Sequence, residues 1–386
     1  MNQAHQSSNS KTRTALIVLG MHRSGTSALT RVLNLLGAAL PQNVMPPARG
    51  NVLGLWEPIR VAALHDEILA SMGSSWSALN GPDEAWFDSP QADVYVEKIK
   101  EVVRREYLDA PLIVVKDPRL SLLFPLWSRA LGDLGIACNP VIALRNPLEV
   151  AQSLCLREGH RQAEEDWHID RAGLLALHYN LSAERWTRGH ARVFCHFSDL
   201  LGDWRGVVRR IGEQFDVAWP NECNETAAAA IEAFLRPSCR HHKAADQPVN
   251  DNVVWAEAIT PVYLALQAAC SGLPINSELF DQMRSAFNGT DKKRFEVRDA
   301  RQTWLMTAFQ LRVSLLEIER DRLASRQAGL ERRIRLLTES TSWRATAPFR
   351  TIVGKLRGWL GEFNEIQNRP AVIAHRLKTF HLEPAE

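Results

Sequence analysis

Residues 20–33 read GMHRSGTSALTRVL, which nearly matches the phosphate-binding pattern G-x-x-x-x-G-K-[ST]. Gly20 and Gly25 have the required spacing and Ser27 is in place, but Thr26 stands where the lysine belongs. The nearest cation is Arg23, inside the loop. Backbone N–H groups of a glycine-containing turn that opens a helix form an anion cradle, equally suited to phosphate and sulfate. Ser24, Thr26 and Ser27 add hydroxyls, and the planar fork of Arg23 matches a pair of phosphate or sulfonate oxygens.

A second stretch, ALRNPLEVAQSL, places Arg145 at a strand end, Asn146 as an expected N-cap and Pro147 at the first helical position. Glu149 fits a capping-box arrangement. Ser153 follows two turns into the helix, so Arg145 and Ser153 could clamp one further phosphate. Lys116 closes the apolar run APLIVVK.

Four short apolar runs must position these groups: TALIVLG, APLIVVKDP, NPVIALRNP and ARVFCHFSD. Each is followed by helical periodicity, with Gly37 stopping the first helix. Strands alternating with helices predict an α/β fold, a P-loop-like three-layer domain whose mostly parallel sheet is covered on both faces. Polar residues at the carboxyl ends of such strands line the binding crevice, so Arg23, Lys116 and Arg145 should converge at one edge. Residues 41–58 are rich in proline and glycine and read as a long loop.

Together these motifs resemble the PAPS-dependent sulfotransferases over residues 14–285, where PAPS is 3′-phosphoadenosine 5′-phosphosulfate. HRSGTS resembles that family's 5′-phosphosulfate loop, and RNPLEVAQS its 3′-phosphate motif. VFCHFSDLL resembles its later strand-end motif, which implies that Phe197 lies near the adenine. FLRPSCRHH resembles a basic loop on the 3′-phosphate side, with Arg240 as the participant. The resemblance implies PAPS as donor, no metal, and donor contacts from Arg23, Ser24, Gly25, Thr26, Ser27, Arg145, Ser153, Phe197 and Arg240. Lys116 matches a lysine that cytosolic members carry two residues before a catalytic histidine, but the histidine position here is Pro118. Branches acting on glycans or protein tyrosine use instead a glutamate from the loop after the first helix. Glu57, in GNVLGLWEP, fills that place as expected general base, with Lys116 and Arg23 stabilising charge. The competing reading is that Glu57 only caps the helix beginning at Pro58. His65 and Asp66 are reserve bases, expected on the helix surface, and Trp56 is expected to touch a sugar or an adenine.

The implied reaction moves a sulfonate group from PAPS to a hydroxyl of a carbohydrate or lipid-linked glycan acceptor, as in the glycan-type bacterial branch. The alternatives are a P-loop kinase or NTPase, and a non-catalytic scaffold of a polysaccharide-synthesis assembly. Asp117 could mimic a magnesium carboxylate in the first of these.

The net charge of +2 in 386 residues gives no bulk electrostatic case for nucleic acid. Six cysteines, none in a C-x-x-C pair, predict neither a zinc site nor a disulfide framework. His241 and His242 read as solvated, and His160, His168 and His178 as structural. No apolar run reaches the length of a membrane span, which points to the cytoplasm. The expected organisation is a polar tail over 1–13, the sulfotransferase domain over 14–285, and a linker over 286–300. A helical coiled-coil-like segment follows over 301–345, then an amphipathic tail over 346–386. The coiled-coil-like helix suits self-association, and the amphipathic tail suits either protein packing or peripheral contact with an anionic membrane.

Overall fold

The four apolar runs are the four strands of one parallel sheet. They are β1 (Thr14–Leu19), β2 (Leu112–Lys116), β3 (Ala137–Leu144) and β4 (Val193–His196), in the order β2-β1-β3-β4. The computed structural model describes residues 13–47, 54–79, 83–159, 167–221, 224–235 and 258–289, then 320, 324, 327–332 and 335.

Alternate strand residues face opposite ways, and each face is apolar, as expected of a parallel sheet covered twice. Ala15, Ile17 and Leu19 point into one core, while Leu16 and Val18 point into the other. The first core is completed by α2 (Ile59–Ser71), α3 (Pro90–Tyr107), α4 (Leu120–Asp133), α5 (Pro147–Gly159) and α6 (Ile169–Trp186). The second is completed by α1 (Thr26–Leu35), α7 (Phe197–Gly202), α8 (Trp204–Phe215) and α9 (Glu225–Phe234). Helices α10 (Thr260–Cys270) and α11 (Ser277–Gly289) return to the first core through Val262, Leu266, Phe280 and Met283. The fold is therefore a three-layer α/β sandwich.

Local signals explain the ends that matter. Gly37 stops α1 with a φ of 108°, and its N–H reaches the Asn34 carbonyl. Asn146 opens α5, its side chain accepting from Leu148 N at 2.9 Å, with Pro147 at the first helical position. The chain adds β2 on one side of β1, then crosses back to add β3 on the other. The carboxyl ends of β1 and β3 thus flank a topological switch point, where α/β sheets hold their ligands.

The chain divides into two compact units, Met1–Leu316 and Glu317–Glu386. That division falls inside the segment read as coiled-coil-like, and α11 runs four residues into the segment read as linker. In the second unit residues 327–332 are helical and exposed, with Gln327 Nε2 donating to Glu331 one turn on. Leu330, on the expected seam, is 55% exposed. The other apolar seam positions, the amphipathic tail and the polar N-terminal residues 1–12 lie outside the described residues.

Candidate functional site

The loop from β1 to α1 is built on left-handed backbone at Gly20, Arg23 and Gly25, with φ of 132°, 70° and 92°. A Cβ at Gly20 would lie 2.6 Å from the Ala143 carbonyl, and one at Gly25 would lie 2.4 Å from the Phe197 ring. Both glycines are therefore required by close approach as well as by φ. Gly25 is the N-cap of α1, with no side-chain cap and no acidic residue in the first turn. The positive end of that helix is left to an anion.

The hydroxyls of the loop have separate duties. Ser24 braces it, donating from Oγ to the Met21 carbonyl at 2.6 Å. Ser121 Oγ accepts from Gly20 N at 2.9 Å and ties the loop to α4. Ser27 Oγ donates to the Leu55 carbonyl at 3.2 Å, linking α1 to the segment that carries Glu57. Thr26 is buried at the start of α1.

Arg23 stands between Ser153 and Arg145. Arg23 Nε donates to Ser153 Oγ at 2.8 Å, and Arg145 Nη1 donates to the Arg23 carbonyl at 3.0 Å. Burial, with Arg157 and Arg145 nearby, lowers the Arg23 guanidinium to about 10. An anion placed there would relieve the crowding. Glu149 accepts from Arg145 Nε at 2.8 Å, so its carboxylate orients the arginine. The Arg145 guanidinium sits 5.0 Å from the Phe197 ring centroid, and Phe197 is buried between Arg145 and Gly25.

Lys116 and Glu57 form a buried ion pair of 2.5 Å. Lys116 Nζ also reaches Ser27 Oγ at 3.2 Å and the Leu55 carbonyl at 3.1 Å. An ammonium has three N–H groups, and these three acceptors match them one for one. A ligand oxygen on Lys116 must displace one of the three. Pro58 is the N-cap of α2 and no side chain caps that helix, which removes the reading of Glu57 as a cap.

The reserve bases are otherwise engaged. His65 is fully buried, not on the helix surface as expected, because it lies on the apolar stripe of α2 with Val61, Ile68 and Leu69. Trp127 Nε1 donates to His65 Nε2 at 2.8 Å, so the other nitrogen, 3.1 Å from Asp117, carries the proton. Asp66 is exposed and paired with Arg119 at 2.5 Å. Burial raises the Asp117 carboxyl, but the charge and hydrogen bonds of Arg119, with the hydrogen bond from His65, outweigh it and hold Asp117 well below the carboxylate range. Its oxygens are spent on these partners, which is not how a magnesium ligand would stand. Among the described residues no cluster of three or more His, Cys, Asp or Glu could hold a metal ion, and no helix is long and apolar enough to cross a membrane.

Trp56, with a φ of 57°, has the Arg31 guanidinium 4.6 Å from its ring centroid and packs near Gly54. His178 stacks on Phe287, and His168 Nδ1 accepts from Arg171 N at the start of α6. Arg240, His160, His241 and His242 lie outside the described residues.

The motifs alone passed over His22 and Arg157. His22 meets Trp76 edge-on at 4.9 Å, and burial first, then Arg157, lowers its imidazole well below the usual value. Its Nε2 is buried without a hydrogen-bond partner. Arg157 stands four residues after Ser153 and eight after Glu149, a one-face helical spacing that was available in the sequence.

No family model matches the sequence, and no curated protein matches it. Among solved structures, the sulfotransferase domain from the curacin biosynthetic pathway is similar at 13% identity, covering 68% of this chain and 99% of that one, with a TM-score of 0.39. The sulfotransferase domain from the Synechococcus PCC 7002 olefin synthase is similar at 17% identity, covering 70% and 98%, with a TM-score of 0.37. Likeness at that level leaves the chemistry to be argued from the residues.

Proposed function

We propose that the chain is a sulfotransferase that moves a sulfonate group from PAPS to a hydroxyl of a carbohydrate or lipid-linked glycan acceptor. The observation that carries this reading is the union of two half-sites on one loop. Arg23 joins the loop to Ser153 and Arg145 on one side, and Ser27 joins it to Lys116 and Glu57 on the other. A donor with a sulfonate at one end and a separate phosphate suits an anion cradle with a second basic clamp beside it.

The donor set fits PAPS. Gly25 leaves an uncapped helix end for the phosphosulfate, and Arg23 supplies a cation within the loop where a nucleotide triphosphatase has its lysine after the second glycine. Arg145 and Ser153 would hold the 3′-phosphate, with Phe197 and Arg240 toward the nucleoside. PAPS supplies the activated sulfonate. Glu57 takes the acceptor hydroxyl proton as the new O–S bond forms. The bond from sulfur to the bridging oxygen breaks, and adenosine 3′,5′-bisphosphate leaves. Lys116, released from one of its three acceptors, meets charge growing on the bridging oxygen and the sulfonate. The glycan acceptor rests on Glu57 standing in place of a histidine, since Pro118 fills the histidine position.

Calorimetry with adenosine 3′,5′-bisphosphate and with ATP, each with and without Mg²⁺, tests the reading. The expected result is binding of the bisphosphate that does not depend on Mg²⁺ and is tighter than that of ATP. Magnesium-dependent ATP binding alone would overturn it.

A further inference from the structure

The segment that carries Glu57 is gripped by a buried carboxylate with no part in the chemistry above. Glu106, one residue before the end of α3, is fully buried. Its Oε2 accepts the Asn43 backbone N–H at 3.0 Å, and Asn43 Nδ2 lies 3.2 and 3.3 Å from its two oxygens. Arg60 Nε, in the first turn of α2, meets Oε1 at 2.8 Å. The Glu106 carbonyl accepts from Gln42 N at 3.0 Å.

The two gripped segments also pair with each other. Met45 N donates to the Glu57 carbonyl at 2.8 Å, Ile59 N donates to the Asn43 carbonyl at 3.0 Å, and Val44 and Pro58 form an antiparallel bridge between them. Glu57 lies within this miniature ladder. Glu106 holds one rail at Asn43 and the other at Arg60, while the Glu57 side chain reaches Lys116. Packing of α3 needs only an apolar residue at this depth, and a buried carboxylate is destabilising unless it is paired. What the carboxylate adds is a fixed distance between the two rails.

We propose that Glu106 is a positioning residue that sets the Glu57 carboxylate against Lys116 and thereby governs proton removal from the acceptor. The catalytic half of this inference rests on the function proposed above; the structural half does not. A misplacement of about 1 Å at a reacting group costs about a hundredfold in rate.

The test uses the full chain. Glu106→Gln keeps the shape and an acceptor for Asn43 but removes the charge that holds Arg60. Asn43→Ala loosens one rail from the exposed side and carries the test if the first variant does not fold. In protein labelled with 5-fluorotryptophan, the ¹⁹F resonance of Trp56, next to Glu57, should move or broaden, while those of the other eleven tryptophans hold. With PAPS and the best acceptor from a saccharide panel, kcat should fall about ten- to hundredfold, with affinity for adenosine 3′,5′-bisphosphate unchanged. Placed on Glu57→Gln, the same change should cost less than about twofold further, because the residue it positions is already gone. An unmoved Trp56 resonance in both variants overturns the grip. A rate loss as large on Glu57→Gln as on the parent overturns the positioning role. If Glu57→Gln itself leaves kcat intact, the general-base assignment and the catalytic half of the inference fall, while the Trp56 resonance still decides the grip.

Discussion

Arg145 can be tested in a way that separates its two jobs. It is 8% exposed, bonds Glu149 at 2.8 Å and the Arg23 carbonyl at 3.0 Å, and packs over Phe197. Arg145→Ala removes the cation from beside a Glu149 carboxylate that is only 1% exposed. Losing one partner of a buried pair costs about 3–5 kcal/mol, whereas replacing both by apolar groups of similar size is often close to neutral. Arg145→Met/Glu149→Met should therefore unfold in urea at a higher concentration than Arg145→Ala. Nucleotide binding should behave differently. A charge-assisted bond to phosphate is worth about 1.5–3 kcal/mol, so adenosine 3′,5′-bisphosphate should bind at least about tenfold more weakly to both variants. The two readouts thus diverge, with stability recovering in the double variant and affinity staying low. Affinity equal to the parent in either variant would take Arg145 out of the anion site. A double variant less stable than Arg145→Ala would refute the role given to Glu149.

Gly25→Ala should lose about 2–5 kcal/mol of stability by calorimetric melting, from left-handed strain together with overpacking against Phe197, and adding Phe197→Leu should restore only the overpacking part. Burial lowers Arg23 to about 10, so its charged form is penalised in the fold below that pH and the penalty fades as pH rises from about 10 toward 12.5. Arg23→Met should therefore raise the melting temperature at neutral pH while abolishing nucleotide binding. In the parent, binding near pH 10 should take up a fraction of a proton, read from calorimetry in buffers of different ionisation enthalpy, and none at pH 7. Deleting residues 301–386 should leave adenosine 3′,5′-bisphosphate affinity within about twofold, since both donor motifs lie in the first domain.

Strand and loop chemistry was legible because it is local. β1 to β4 are short apolar runs ending in Gly, charge or Asn-Pro, and burial on both faces leaves them no polar alternation to confuse. Parallel strands carry Arg23, Lys116 and Arg145 to one edge, whereas the bond from Arg23 to Ser153 depends on how α5 packs. What the pattern did not reveal are partners far apart in the chain. Glu106 and His65 are polar residues on apolar stripes, at the end of α3 and in the middle of α2, and the stripe spacing alone would have marked them as buried. Their partners, Asn43 and Arg60 for one and Trp127 and Asp117 for the other, depend on how helices pack. Glu149 looked like a cap residue, but the arginine four positions earlier claims it, because a buried guanidinium needs its charge met.

Sulfonate transfer itself decides between this function and its alternatives. The full-length protein is incubated with sulfur-labelled PAPS and a panel of hydroxyl-bearing saccharides, and labelled sulfate ester and adenosine 3′,5′-bisphosphate are both followed. The two products should appear in equal amounts, and Glu57→Gln should slow their appearance by about a hundredfold to ten-thousandfold while leaving bisphosphate affinity unchanged. Failure of the protein to bind PAPS at all would rule out the donor, and transfer at the parent rate by Glu57→Gln would rule out the base.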